Sequence, residues 1–298
     1  MIEQITSTRN ILGECPVWAP KENRLYWMDL IEPALYAYSL ETRKIQSWPM
    51  PEHLGGLALR KKGGLVLGMQ TRIASFNPAT EELEDLALLG DLGNGVRFND
   101  AKCDARGRFF IGNMMDPSIT KDDVEEHEKE GKGSIFVLAP DLTLRVMEAG
   151  FTTPNGFAWN GDNTLLYLAD SHENSIYVYD YKLKYGEYAN PRVFASTHDD
   201  PGVPDGACMD AEGCLWSARH GGGCIVRYRP DGSVDKKIHL PVSLPTSLAF
   251  GGDNLDVLFV TTASQGLSEE QLAEQPEAGT ILSLEPGVRG LPVHSFSG

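Results

Sequence analysis

The chain has 298 residues, 41% hydrophobic and 23% charged, with a formal net charge of −16. That is enough apolar sequence for a large buried core. The acidic balance argues against a nucleic-acid partner or an anionic membrane surface, since both are met by a basic face. No apolar run approaches the roughly 18–20 residues of a membrane span.

The first residues, MIEQITSTRNILGECP, lack a basic stretch followed by an apolar one, so no signal peptide is expected. The five cysteines, Cys15, Cys103, Cys208, Cys214 and Cys224, are odd in number and form no C-x-x-C. They are expected as small hydrophobes in a reduced, cytoplasmic protein.

In chain order, one frame recurs six times. It opens on a special residue, with apolar residues at its third and fifth positions: ECPVW from Glu14, GGLAL from Gly55, NDAKC from Asn99, NGFAW from Asn155, DGACM from Asp205 and TSLAF from Thr246. The interval is roughly 40–55 residues, the length of a propeller blade. After each frame come a turn-prone cluster (PKEN, KKGG, DARG, NGDN, DAEG) and a second strand (RLYWMD, GLVLGM, RFFIGNM, TLLYLAD, CLWSAR, VLFVTTA). A third strand follows (ALYAYSL, IASFNP, GSIFVLA, SIYVYDY, CIVRYRP, TILSLEP), and most units add a polar fourth, such as RKIQSWP or NPRVFAS. Helical periodicity is scarce. The expectation is an all-β, six-bladed β-propeller with four antiparallel strands per blade, filling residues 1–298 as one domain. Ile2–Ser7 should supply the outer strand of the sixth blade, closing the ring and leaving no open seam.

Two acidic interruptions stand out, Pro117–Gly133 and SQGLSEEQLAEQPEAG. Thr120 would cap a short helix in the first, with Gly131 past its end, and Ser268 with Gln271 fits a capping box in the second. Both runs read as solvated surface, with a lid over the propeller mouth as the alternative.

Propeller geometry gathers the frame openings. The first strand of each blade lines the axis, so Glu14, Gly55, Asn99, Asn155, Asp205 and Thr246 face one tunnel mouth. The turn after each second strand returns there, bringing Asp116, Asp170, His172 and His220 near. Glu14, Asn155 and Asp205 offer oxygen donors only, a hard ligand set suited to Ca²⁺, Mn²⁺ or Mg²⁺. Three protein ligands leave positions open, as in a catalytic metal site. Arg97, two residues before Asn99, should point into the same opening, where its fork of donors would bind a carboxylate or polyol. Asp100 reads as a turn residue or as support behind the site, and His198 as a loop histidine. No G-x-S-x-G, Walker A, G-x-G-x-x-G or H-E-x-x-H motif occurs.

Taken together, GECPVW, RFNDAKCDARGRFFIGNM, PNGFAW, YLADS, PDGACMDAEGCLW and QPEAGTILSLEPGVRGLP resemble the gluconolactonase, regucalcin (SMP-30) and luciferin-regenerating family over essentially the whole chain. The resemblance implies a six-bladed propeller with one divalent cation in the tunnel mouth. The cation is expected to be Ca²⁺ first, with Zn²⁺, Mn²⁺, Mg²⁺ or Fe²⁺ as alternatives. It implies Glu14, Asn155 and Asp205 as metal ligands, Asp205 also as the catalytic aspartate, and Arg97 and Asn99 as substrate-binding positions. Where the family commonly has a glutamate after G-T-M-A, this chain has GNMMD, so Asp116 takes that place with a shorter side chain. Where the family often has G-E-G-P, this chain has G-E-C-P.

The implied activity is hydrolysis of a sugar lactone to its aldonic acid, by a monomer or weak homo-oligomer. Either Asp205 or a metal-held hydroxide could start the attack. A phosphotriesterase-like hydrolase, a calcium-binding regulator and a protein-interaction platform remain as alternatives. The last is disfavoured because the G-H…W-D repeat signature is absent.

Overall fold

The computed structural model describes residues 1–90, 95–116 and 133–298. These form six four-stranded antiparallel sheets arranged as a six-bladed β-propeller. The inner strands are Gly13–Ala19, Leu54–Leu59, Val96–Cys103, Pro154–Trp159, Val203–Met209 and Pro245–Gly251. Each carries one expected frame. The inner strands are almost wholly buried, whereas outer strands such as Glu82–Leu88 and Val234–His239 are mostly exposed. This gradient reproduces the apolar-to-polar trend along each repeat and places the core between neighbouring blades.

The ring closes as expected. The N-terminal strand Ile2–Gln4 pairs antiparallel with Ile281–Leu284, completing the sixth blade. It is shorter than the predicted Ile2–Ser7: after Gln4 the ladder gives way to the contacts of Ile5 N to Ile281 O and of Ile281 N to Thr6 Oγ1. Thr246 adds to the closure by donating its hydroxyl to Gly13 O, tying blade six to blade one.

Every inner strand contains a β-bulge, at Glu14/Val17, Leu54/Gly56, Asn99/Ala101, Asn155/Ala158, Pro204/Ala207 and Pro245/Ser247. A bulge inserts an extra residue and re-aims the side chains around it. Here the six bulges fall on the six frame openings. The left-handed backbone of Cys15 (φ 49°), Asp100 (φ 51°) and Gly156 (φ 66°) follows directly from them.

Among the described residues no helix is long and apolar enough to cross a membrane. The short helix Glu269–Glu274 has Ser268 as N-cap and a complete capping box with Gln271, as the sequence predicts. It buries none of its residues. The helix expected from Thr120 lies outside the described residues. All five cysteines are unpaired. After the last strand the chain crosses the propeller face: Phe296 is fully buried, and Leu291–His294 line a cavity of about 180 Å³ together with Cys15, Asp100 and Lys102.

Candidate metal centre and its polar surround

Glu14, Asn155 and Asp205 are each buried at the bulge of their inner strand. Glu14 Oε2 accepts from the N–H of Cys15 at 2.9 Å. Burial first, and then the negative charges of Asp205 and Asp100, hold the Glu14 carboxyl well above the usual carboxylate range. Burial, followed by Asp100, does the same to Asp205. Asn155 donates Nδ2 to Ser171 Oγ at 3.0 Å, and Ser171 Oγ donates to Pro204 O at 2.6 Å, immediately before Asp205. Asn155 Oδ1 is buried and has no hydrogen-bond partner among the described residues.

These observations test whether the residues suit a divalent cation. Two buried acids repel one another, and beside them an amide oxygen faces nothing. Burying an unpartnered acceptor and like charges is costly unless a cation or donor compensates. Among the described residues, no group of three or more His, Cys, Asp or Glu side chains is arranged to hold an ion. A cation here would therefore depend on the Asn155 oxygen as its third donor. The all-oxygen set fits a hard divalent ion.

Asp100 turns both carboxylate oxygens onto backbone amides. Its Oδ1 accepts from Ala101 N at 2.8 Å, and its Oδ2 accepts from Gly156 N at 2.7 Å and Phe157 N at 3.3 Å. It thus fastens the bulge behind Asn155 to that of blade three. Cys15 Sγ lies 3.7 Å from the same carboxylate. Cys15 has a positive φ of 49°, a region that a residue with a Cβ enters at a steric penalty.

Asp170 likewise serves the backbone. It accepts from Thr152 N, Thr153 N and His172 N, at 2.8, 3.0 and 3.2 Å, and so fixes the segment leading into Asn155. Asp29 does the same in blade one, accepting from Ile11 N and Leu12 N ahead of Glu14. His172 and His198 are both exposed.

Arg97, Asn99 and Asp116 form one buried network. Arg97 Nε donates to Asp116 Oδ2 at 2.6 Å, Arg97 Nη1 donates to Asn99 Oδ1 at 2.9 Å, and Asn99 Nδ2 donates to Pro154 O at 3.1 Å. The sequence predicts Arg97 as a fork of donors in the opening. In the structure its pairing with Asp116 is internal. His220 Nδ1 lies 3.8 Å from Asp205 Oδ2, and burial lowers the basicity of its ring.

Two polar residues escaped the sequence reading. Ser171, visible in YLADS, orients Asn155. Lys102, a charge inside the strand NDAKC, donates Nζ to Ala207 O at 2.5 Å and lines the cavity behind Asp100.

The acid repulsion gives a direct prediction for the metal-free protein. A carboxyl whose folded pKa is raised supports folding below its unfolded pKa, about 4, and loses that contribution as pH rises through the folded value. Glu14→Gln removes the charge at every pH. Metal-free Glu14→Gln should therefore melt a few degrees above metal-free wild type at pH 7.5, and the gap should shrink as pH falls toward about 4. Melting curves in chelator across that range check it. A variant that is less stable at pH 7.5 would show that Glu14 is not strained by its surroundings.

The family model described as SMP-30/Gluconolactonase/LRE-like region matches residues 12–264. The chain is 34% identical over 299 residues to regucalcin of Xenopus laevis, covering 100% of this chain and 98% of that protein. It is 32% identical over 291 residues to a 6-deoxy-6-sulfogluconolactonase of Pseudomonas putida, covering 97% and 96%. Among solved structures, regucalcin of Agrobacterium tumefaciens, described as a calcium-binding protein, superposes with a TM-score of 0.91 at 25% identity, covering 98% of this chain and 96% of that one.

Proposed function

The chain belongs to the SMP-30/gluconolactonase/LRE-like family, and on that premise we propose that it is a metal-dependent lactonase opening a sugar lactone of the gluconolactone or aldonolactone type to the aldonic acid. The observation that carries the reading is the convergence of two strained acids, Glu14 and Asp205, with the orphaned Asn155 oxygen at one end of the propeller axis. These three residues would hold one divalent cation. Ca²⁺ is the first candidate, because the donor set is all oxygen and a similar structure is that of a calcium-binding protein. When bound, the cation supplies Lewis-acid polarisation of the lactone carbonyl and stabilises negative charge there.

The chain's own residues divide the remaining work. Asp205 would accept a proton from the attacking water. The Arg97–Asn99–Asp116 network presents donors and acceptors whose positions are already fixed by their mutual bonds, so little ordering is lost when a substrate binds. Ser171 holds the Asn155 amide by its Nδ2 and leaves the buried Oδ1 as the acceptor available to a cation. Asp100 and Asp170 hold the backbone beneath.

Because Arg97 is paired with Asp116, the mouth suits a neutral polyhydroxylated ring better than a greasy acyl chain, which would leave these groups desolvated and unpaired. Sugar lactones should therefore exceed long-chain acyl-homoserine lactones in kcat/KM by at least about tenfold, corresponding to roughly 1.4 kcal/mol. The test is a panel of five- and six-carbon aldonolactones beside an acyl lactone, assayed by acid release at one pH with each divalent ion, with spontaneous opening subtracted. Equal or better activity on the acyl lactone would overturn the sugar assignment. Full activity with Mn²⁺ in the absence of Ca²⁺ would separate the lactonase from a calcium-responsive regulator on the same scaffold.

A further inference from the structure

We propose that His220 is a specificity-determining residue that holds one ring hydroxyl of the lactone, an inference that rests on the lactonase reading. His220 ends the strand Leu215–His220 of blade five, where it pairs with Val203. Counted from the pairs Met209–Leu215, Trp159–Leu166 and Cys103–Phe109, Ser171 holds the corresponding place in blade four, and in blade three Asp116 lies two residues beyond it. The backbone N–H of each bonds the carbonyl just ahead of its inner strand, Thr153 O for Ser171 and Gly95 O for Asp116. Both of those side chains serve the mouth, one binding Arg97 and the other Asn155. His220 has no such engagement. Its Nδ1 is buried without a hydrogen-bond partner among the described residues, 3.8 Å from Asp205 Oδ2, while its side chain remains 35% exposed.

Nδ1 faces the Asp205 carboxylate across 3.8 Å, which favours the ring proton on that nitrogen. Nε2 is then left as an acceptor on the exposed side of the ring. An acceptor beside the proposed reaction centre fits a hydroxyl of a polyol and gives nothing to an alkyl chain.

The segment RHGGG explains how the ring is held. Gly221 and Gly223 have φ of 78° and 61°. A Cβ on Gly222 would collide with Pro201 O, and one on Gly202 with His220 O. The turn therefore packs backbone to backbone on the loop that leads into Asp205. Arg219, fully buried, donates Nη2 to Thr197 O at 3.3 Å and Gly202 O at 2.7 Å, locking the two segments together. His220 thus projects from a clamped turn.

The experiment compares wild type, His220→Phe and His220→Gln on one good aldonolactone and its series of monodeoxy analogues, at saturating metal, with melting temperature and bound metal measured alongside. His220→Phe should raise KM about tenfold on the parent lactone while kcat stays within about threefold, the scale of one lost hydrogen bond. Wild type should show a similar loss on one particular monodeoxy analogue, and the Phe variant should no longer distinguish that analogue from the parent. His220→Gln, which retains an acceptor, should recover part of the loss, and it carries the test if the Phe variant fails to fold. No change, or a uniform loss across all analogues, overturns the inference and leaves the lactonase reading intact. A wild-type protein that opens no lactone overturns both.

Discussion

Asp205→Ala should lower kcat by at least about a thousandfold, equivalent to roughly 4 kcal/mol of transition-state stabilisation, and should also cost the protein its bound metal. Both losses follow from one carboxylate serving as ligand and proton acceptor. The substitution should not unfold the chain, because burial and neighbouring acids already hold the Asp205 carboxyl above its usual range. Its removal relieves that repulsion. Asp116→Ala is the informative comparison. Asp116 is bonded to Arg97, so its loss should raise KM more than it lowers kcat. Steady-state kinetics with metal analysis of both variants measure the difference. Near-normal kcat in Asp205→Ala would remove the catalytic assignment.

Arg97→Met should destabilise the fold by about 3–5 kcal/mol, or roughly 6–10 °C in Tm, because it removes the guanidinium that bonds a buried carboxylate. The Arg97 and Asp116 side chains are only 5% and 12% exposed, at 2.6 Å. A surface pair would contribute a fraction of that. Arg97→Met combined with Asp116→Leu should recover part of the loss, since the double variant removes the buried carboxylate along with the guanidinium. Losses that simply add would show the two residues to be independent. Because Arg97 also holds Asn99, the single variant should weaken substrate binding even at temperatures where it remains folded.

The propeller was legible in the sequence because each blade must bury the same faces, so the apolar frame repeats whatever else the unit carries. Closure by the N-terminal strand was legible because a sixth unit lacking its outer strand implies one from elsewhere. The phase of Glu14, Asn155 and Asp205 was legible for the same reason. The bulges were not, because an extra residue leaves no compositional mark, yet it reverses which face the later residues of a strand occupy. That reversal hid Lys102. An aspartate at a strand end reads alike whether it faces a ligand or caps backbone amides, so the sequence does not show that the Asp170 oxygens serve Thr152, Thr153 and His172. The Arg97–Asp116 pair depends on the register that sets Val96 opposite Met115 across a hairpin, which local sequence does not specify.

The central claim is that a divalent cation held by Glu14, Asn155 and Asp205 is required for lactone opening. It is tested most directly by elemental analysis of dialysed protein, followed by chelation and metal add-back on the best aldonolactone. The account predicts about one divalent ion per chain in the all-oxygen site, activity falling to the spontaneous rate on chelation, and recovery on add-back in wild type but not in Asp205→Ala. A metal-free chain that opens the lactone at its full rate would contradict it.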